Sequence, residues 1–207
     1  MKILRRVLIV LLVIANIGLL AYALYGIKEP PQQLSTENAI VVTAPDQTEA
    51  EEHPDFIKKE FALVLPEGEN IAVDKKIDDN GHADVYVAKK AIDGKADGSS
   101  YWEGKAGYPN TLTVDLEAPT SIHAIRLALN PLAIWGMRTQ TVAVNISADG
   151  ENFEELVKSE QYTFDPDTGN QIQIAFDDIE TRYVQLVITE NSGANAGQIA
   201  EFEIYSK

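Results

Sequence analysis

The chain has 207 residues, with 17 basic groups against 32 acidic ones, a net charge of −15 and no cysteine. The length suffices for one domain with appendages, and the missing thiol excludes a disulfide framework, a thiol nucleophile, a thiolate metal site and a lipidated cysteine anchor. Residues 29–207 hold 13 basic and 32 acidic groups, net −19, which argues against nucleic acid or anionic lipid as partners of that part and suits neutral ligands, cations or basic proteins.

The first element predicted is a membrane segment. Lys2, Arg5 and Arg6 precede 19 uncharged residues, 7–25. As a helix these span about 28 Å, near the hydrocarbon thickness. Basic residues before the segment, with Lys28 alone soon after, predict the N-terminus inside and the remainder extracytoplasmic. Tyr22 and Tyr25 then read as interface anchors. A second reading is a cleaved signal peptide, with an apolar core at 7–20 and Ala21-Tyr22-Ala23 as the cleavage site. The expectation is a single-pass signal anchor over residues 1–26 in the cell membrane, with secretion after cleavage as the alternative.

Residues 27–68 read as an acidic linker, interrupted by Pro30, Pro31, Pro45, Pro54 and Pro66 and carrying the run EAEE at 49–52. Such composition does not bury enough surface to fold alone. Its two apolar islands are AIVV (39–42) and FALVL (61–65), and the second is expected to lie on the following domain.

From about Asn70 short β-branched runs alternate with turn signals. The predicted strands are NIAV (70–73), VYVA (85–88), TLTVDL (111–116), IRLAL (125–129), TQTVAVNIS (139–147), FEELV (153–157), QIQIAF (171–176), RYVQLVIT (182–189) and IAEFEIY (199–205). Asp149-Gly150 marks a tight turn. No segment after residue 30 holds a helical period over three turns. Many short strands with turns between them predict an all-β antiparallel sandwich or barrel.

In order, AIDGKADGSSYWEG, TLTVDL, IWGMRTQT, ISADGENFEEL, YTFDPDTGN, TRYVQLVIT and AEFEIY resemble the discoidin, or coagulation factor type C, domain. The resemblance runs over residues 69–207. It implies an antiparallel β-sandwich of the jelly-roll, galactose-binding-like kind found in bacterial carbohydrate-binding modules. Members bind sugars, polysaccharides, lipids or proteins, so fold alone does not choose the ligand.

The loop 91–100 corresponds to one that holds a structural calcium ion in many relatives. Calcium takes six to eight hard oxygens, and the resemblance implies the Ala91 carbonyl, Asp93, Asp97, Ser99, Ser100 and Glu201 as ligands, with Glu203 a lesser alternative to Glu201. Sugar recognition needs an aromatic face and polar forks. Trp135 is the expected platform and Arg138 and Gln140 the forks. Glu103, Tyr108, Asn191 and Asn195 are expected to border the same surface. Of the adjacent Tyr101 and Trp102, the resemblance makes Trp102 the core residue. His53, His82 and His123 do not converge in sequence, and no G-x-S-x-G, H-E-x-x-H or phosphate-binding loop is present. The expected protein is a non-catalytic, membrane-tethered, glycan-binding module of a bacterial cell surface. The rival reading is an interaction subunit that docks a protein partner through the same sandwich.

Overall fold

The computed structural model describes residues 11–17, 19, 22, 53–57 and 60–207. The chain divides into two compact units, Met1–Ala50 and Glu51–Lys207. In the first unit, residues 11–17, 19 and 22 are helical, and the Asn16 amide donates to the Leu12 carbonyl at 2.8 Å. Among the described residues no helix is long and apolar enough to cross a membrane. Most of the predicted span at 7–25 lies outside the described residues, as do AIVV (39–42) and EAEE (49–52).

The second unit is an antiparallel β-sandwich. Its strands are β1 (Glu69–Asn70), β2 (Lys76–Asp79), β3 (Trp102–Glu103), β4 (Asn110–Ala128), β5 (Arg138–Ser147), β6 (Glu154–Phe164), β7 (Gln171–Asn191), β8 (Gln198–Ile199) and β9 (Glu201–Ser206). The helical pieces described in this unit are single 3-10 turns.

Two bent strands make both layers. The first half of β4 pairs with β2 and with residues 183–188 of β7, and the second half pairs with β9 and with residues 171–175 of β7. The registers break between Asp115 and Thr120, where Glu117 has φ 72° and Pro119 has no amide to donate. One layer is therefore β2, β4, β7, β5 and β6, and the other is β1, β9, β4 and β7. Leu112, Val114, Val142, Val144, Val184, Leu186 and Ile188 from the first layer, and Ile125, Leu127, Phe202 and Ile204 from the second, fill one core. The period-2 alternation of these strands places those side chains on the inner faces.

Trp102 is fully buried, and its indole donates to Asp79 Oδ2 at 3.0 Å, so the expected core residue of the Tyr101–Trp102 pair is the one inside. Predicted strands that need correction include IAEFEIY (199–205), which breaks at Ala200 into β8 and β9. VYVA (85–88) is a turn running into a 3-10 turn, because Asp84 takes φ 45° and the stretch meets β3 through one hydrogen bond, from the Glu103 amide to the Tyr86 carbonyl at 3.2 Å, rather than a ladder. NIAV leaves the sheet after Asn70, whereas FEELV extends into the longer β6.

The β5–β6 hairpin turns at Asp149-Gly150, as predicted. Asp149 Oδ1 accepts the backbone amides of Glu151 and Asn152 at 2.9 and 2.8 Å. Its Oδ2 accepts the Asn152 side-chain amide at 2.7 Å. These bonds hold the carboxyl well below the usual carboxylate range. Asp149→Ala should lower the melting temperature by a few degrees at neutral pH in calorimetry, an effect that fades in acid as the wild-type carboxylate protonates. An unchanged melting temperature would remove this turn from the determinants of the fold.

Candidate functional site

One end of the sandwich carries a shallow open cleft of about 230 Å³ lined by Tyr101, Ile134, Trp135, Arg138 and Gln198. Three elements bring these residues together. The 3-10 turn Ala133–Trp135 presents Ile134 and Trp135, the first residue of β5 is Arg138, and β3 pairs with β8 so that Glu103 lies opposite Gln198.

Arg138 organises the cleft. Its guanidinium donates to Gln198 Oε1 at 2.7 Å and to the Trp135 carbonyl. Its Cζ lies 4.9 Å from the centre of the Trp135 ring, a cation–π arrangement. On another side it is covered by Gly193, where a Cβ would stand 2.8 Å from Nε, so a side chain at that position would displace the guanidinium. Burial holds the Arg138 pKa below its ordinary value, with the Glu103 carboxylate opposing the shift. The group remains a cation at neutral pH.

Trp135 has an aromatic support. Tyr101 meets it edge-on at 4.8 Å, Tyr86 stacks on Tyr101 at 4.3 Å, and Lys90 lies 5.4 Å from the Tyr86 ring centre. Burial and the contact with Tyr86 raise the Tyr101 pKa, so its phenol stays protonated.

A network fixes Gln198 from below. Its side-chain amide donates to Glu103 Oε2 at 2.8 Å. Its backbone N–H donates to Gln140 Oε1, and its carbonyl accepts from Gln140 Nε2, both at 2.9 Å. Gln140 is therefore not the expected ligand fork. It is fully buried, and both ends of its amide are used on one peptide. Asn191 donates to the Ala196 carbonyl at 2.8 Å and accepts from the Gly193 amide at 2.9 Å, so it shapes the 191–197 loop from within. Tyr108 donates to the Ala194 carbonyl at 3.1 Å, and the Asn195 carbonyl accepts the Gly107 amide at 2.9 Å. Tyr108 and Asn195 are exposed on the paired loops and do not line the cleft. Gln198, Tyr101 and Ile134 were missing from the expected contact set.

The expected calcium ligands divide in the same way. Asp93, Ser100 and Glu201 converge: Ser100 Oγ donates to Asp93 Oδ2 at 2.5 Å, and the Lys95 amide is shared between Asp93 Oδ1 and Glu201 Oε1 at 3.0 and 2.6 Å. Ala91 is buried at the start of the loop. Asp97 and Ser99 are exposed, and the Ser99 carbonyl accepts from Lys90 at 2.9 Å. Glu203 pairs with Arg126 at 2.7 Å instead. Among the described residues no three acidic or histidine side chains form a metal-binding group, so a cation would need hydroxyl and carbonyl oxygens as well. Glu201 Oε2 is buried without a hydrogen-bond partner. Burial first, then Glu203 and Asp93, pushes this carboxyl up to about 8, against the Lys95 amide. An orphaned carboxylate oxygen beside a second carboxylate fits a hard cation.

The fold defines a β-sandwich module whose loops carry the candidate site. The F5/8 type C domain family matches residues 75–202, more than half of the chain, and the chain belongs to that family. Among solved structures, a CBM32 of AlyQ in complex with 4,5-unsaturated mannuronic acid is 20% identical, with a TM-score of 0.54 over 65% of this chain and 98% of its own. CpGH89CBM32-5 from Clostridium perfringens, in complex with GalNAc-β-1,3-galactose, is 23% identical, with a TM-score of 0.54 over 63% and 94%. A Streptococcus pneumoniae fucose binding module is 17% identical, with a TM-score of 0.52 over 70% and 100%. At these identities the likeness shows the fold. No curated protein matches the chain.

Proposed function

We propose that this protein binds glycans non-catalytically at the Trp135 cleft. One observation carries the reading: Trp135, Tyr101, Arg138 and Gln198 converge on one concave surface. An indole and a phenol offer apolar faces for the C–H side of a pyranose, while Arg138 and the Gln198 side-chain amide offer their remaining N–H donors to its hydroxyls. Solved structures of the same fold carry mannuronic acid, GalNAc-β-1,3-galactose and Lewis b in their complexes, which supports the class of ligand. Glu103, the carboxylate joined to the cleft, is tied to Gln198 and serves the network rather than proton transfer.

In this reading calcium is held by Asp93, Glu201, Ser100 and backbone oxygens of the 91–100 loop. It supplies charge neutralisation that stiffens the support beside Tyr101. The N-terminal apolar segment tethers the module outside the cell membrane. A shallow site with few buried atoms binds each sugar weakly, and tethering raises the effective concentration on a polymer.

A panel of alginate, pectin, chitosan, fucosylated and GalNAc-galactose ligands, titrated against the full chain with and without calcium, tests this. Saturable binding to at least one ligand is expected, with loss of about tenfold or more in Trp135→Ala, since stacking and the buried apolar area supply one to two kcal/mol, roughly. Failure of every ligand with folded protein would sink the glycan reading. It would favour a protein-docking face instead, because Ile134 and Met137 are exposed beside the cleft.

A further inference from the structure

The turn that carries Trp135 is held from two sides. On the inner side the Asn130 side chain accepts the Leu132 amide at 3.0 Å and donates to the Gly98 carbonyl at 2.9 Å. That brace ends at Leu132. The next amide, Ala133, opens the 3-10 turn, and the turn has no side-chain cap. The opening amides of a helical turn have no partner within it. Here the Ile57 carbonyl accepts the Ala133 N–H at 3.2 Å.

Ile57 belongs to a strap of residues 53–57 and 60–66 that precedes the residues matched by the family, which begin at 75. The strap opens on a turn of its own and is fixed to the sandwich at two further places. The His53 carbonyl accepts the Phe56 amide at 2.8 Å in a 3-10 turn. The Phe61 ring lies so close over Gly169 that a Cβ there would stand 2.4 Å from it. Gly169 has φ 80°, so a side chain is excluded twice. Gln173 donates to the Val64 carbonyl. FALVL thus lies on the sandwich, as expected, and the compact unit begins before residue 69.

We propose that this strap is a positioning element of the binding site, with Ile57 capping the Trp135 turn and Phe61 anchoring the strap on Gly169. The inference rests on the placing of the glycan site at Trp135, and its first readout needs no ligand. Neither Ile57 nor Phe61 touches the cleft, so their effect on binding runs through the angle at which the turn holds Trp135. The domain that binds is then 53–207 rather than 69–207.

Two substitutions in the full chain separate positioning from folding. Ala133→Pro removes the N–H that Ile57 accepts. Leu132 already has φ −66° and ψ 144°, which a following proline tolerates, and proline suits the first position of a helical turn. Phe61→Ala removes the anchor, and Phe61→Tyr keeps it. The protein has two tryptophans, and Trp102 is fully buried, so acrylamide quenching reports Trp135. Both Ala133→Pro and Phe61→Ala should raise quenching with little change in melting temperature, and Phe61→Tyr should restore it. Binding of alginate, pectin and GalNAc-β-1,3-galactose should fall about threefold to tenfold in parallel. Wild-type quenching in both variants overturns the proposal. If wild-type protein binds no ligand of the whole panel, the functional reading fails while quenching still decides the strap.

Discussion

Arg138→Ala is expected to remove measurable glycan binding while leaving a folded sandwich. The guanidinium donates to Gln198 and to the Trp135 carbonyl and lies under the indole ring. A hydrogen bond to a charged group contributes roughly 1.5–3 kcal/mol, and losing the cation also frees the Trp135 turn. Weak binding near millimolar corresponds to only about 4 kcal/mol. A loss of about 2 kcal/mol therefore moves the dissociation constant some thirtyfold, beyond ordinary titration. The fold should lose about 1–2 kcal/mol, because Arg138 is half-buried and the core behind it stays intact. Arg138→Lys keeps the charge without the fork, so it can satisfy Gln198 or the Trp135 carbonyl but not both. It should retain a fraction of the affinity. Titration by NMR and thermal melts of both variants check this, and wild-type affinity in Arg138→Ala would place the ligand elsewhere.

The position of the candidate site was half legible. Trp135 and Arg138 stand in IWGMRTQT, where an aromatic and a cation precede a strand. Gln140 misled as a residue type, yet its register was readable: it shares a face with Val142 and Val144, both fully buried, and period 2 sends it inward. Gln198 was not readable. It enters the cleft because β8 pairs with β3 across 95 residues, and no local pattern encodes that pairing.

The fold was legible strand by strand but not in its joins. TLTVDL and IRLAL are one strand, as are QIQIAF and RYVQLVIT. The stretches between them read as turns because Pro119, Asp177 and Asp178 are turn-forming types. The chain bends there and resumes the same pairing partner, which lets β4 and β7 serve both layers. VYVA carried β propensity but meets β3 through a single hydrogen bond at Tyr86, whose ring packs in an aromatic stack. Such propensity is tertiary in origin, which explains the error.

Glu201 should make the metal-free domain lose stability as pH rises. Its carboxyl is pushed from the ordinary 4.5 up to about 8. The folded state therefore holds a proton that the unfolded state has released, between about pH 4.5 and 8. Stability falls with pH wherever the native state binds more protons. The contribution is fully present below the lower limit and is lost as pH climbs through the upper one. Allowing for solvent screening, the loss is about 2–3 kcal/mol. Calcium should reverse it, because a cation takes the ionised carboxylate and its affinity rises as the proton leaves. In EDTA the melting temperature should drop from about pH 5 to about pH 8. At ~1 mM calcium it should recover at the alkaline end and change little at the acid end. Glu201→Gln keeps the shape and removes the charge, so its melting temperature should be nearly flat with pH and insensitive to calcium. Magnesium, which demands a tighter octahedron, should substitute poorly. Identical wild-type melts with and without calcium at about pH 8 would remove the ion from this loop. A flat profile in EDTA would instead mean that Glu201 ionises without penalty, and that its unpaired oxygen finds another partner in solution.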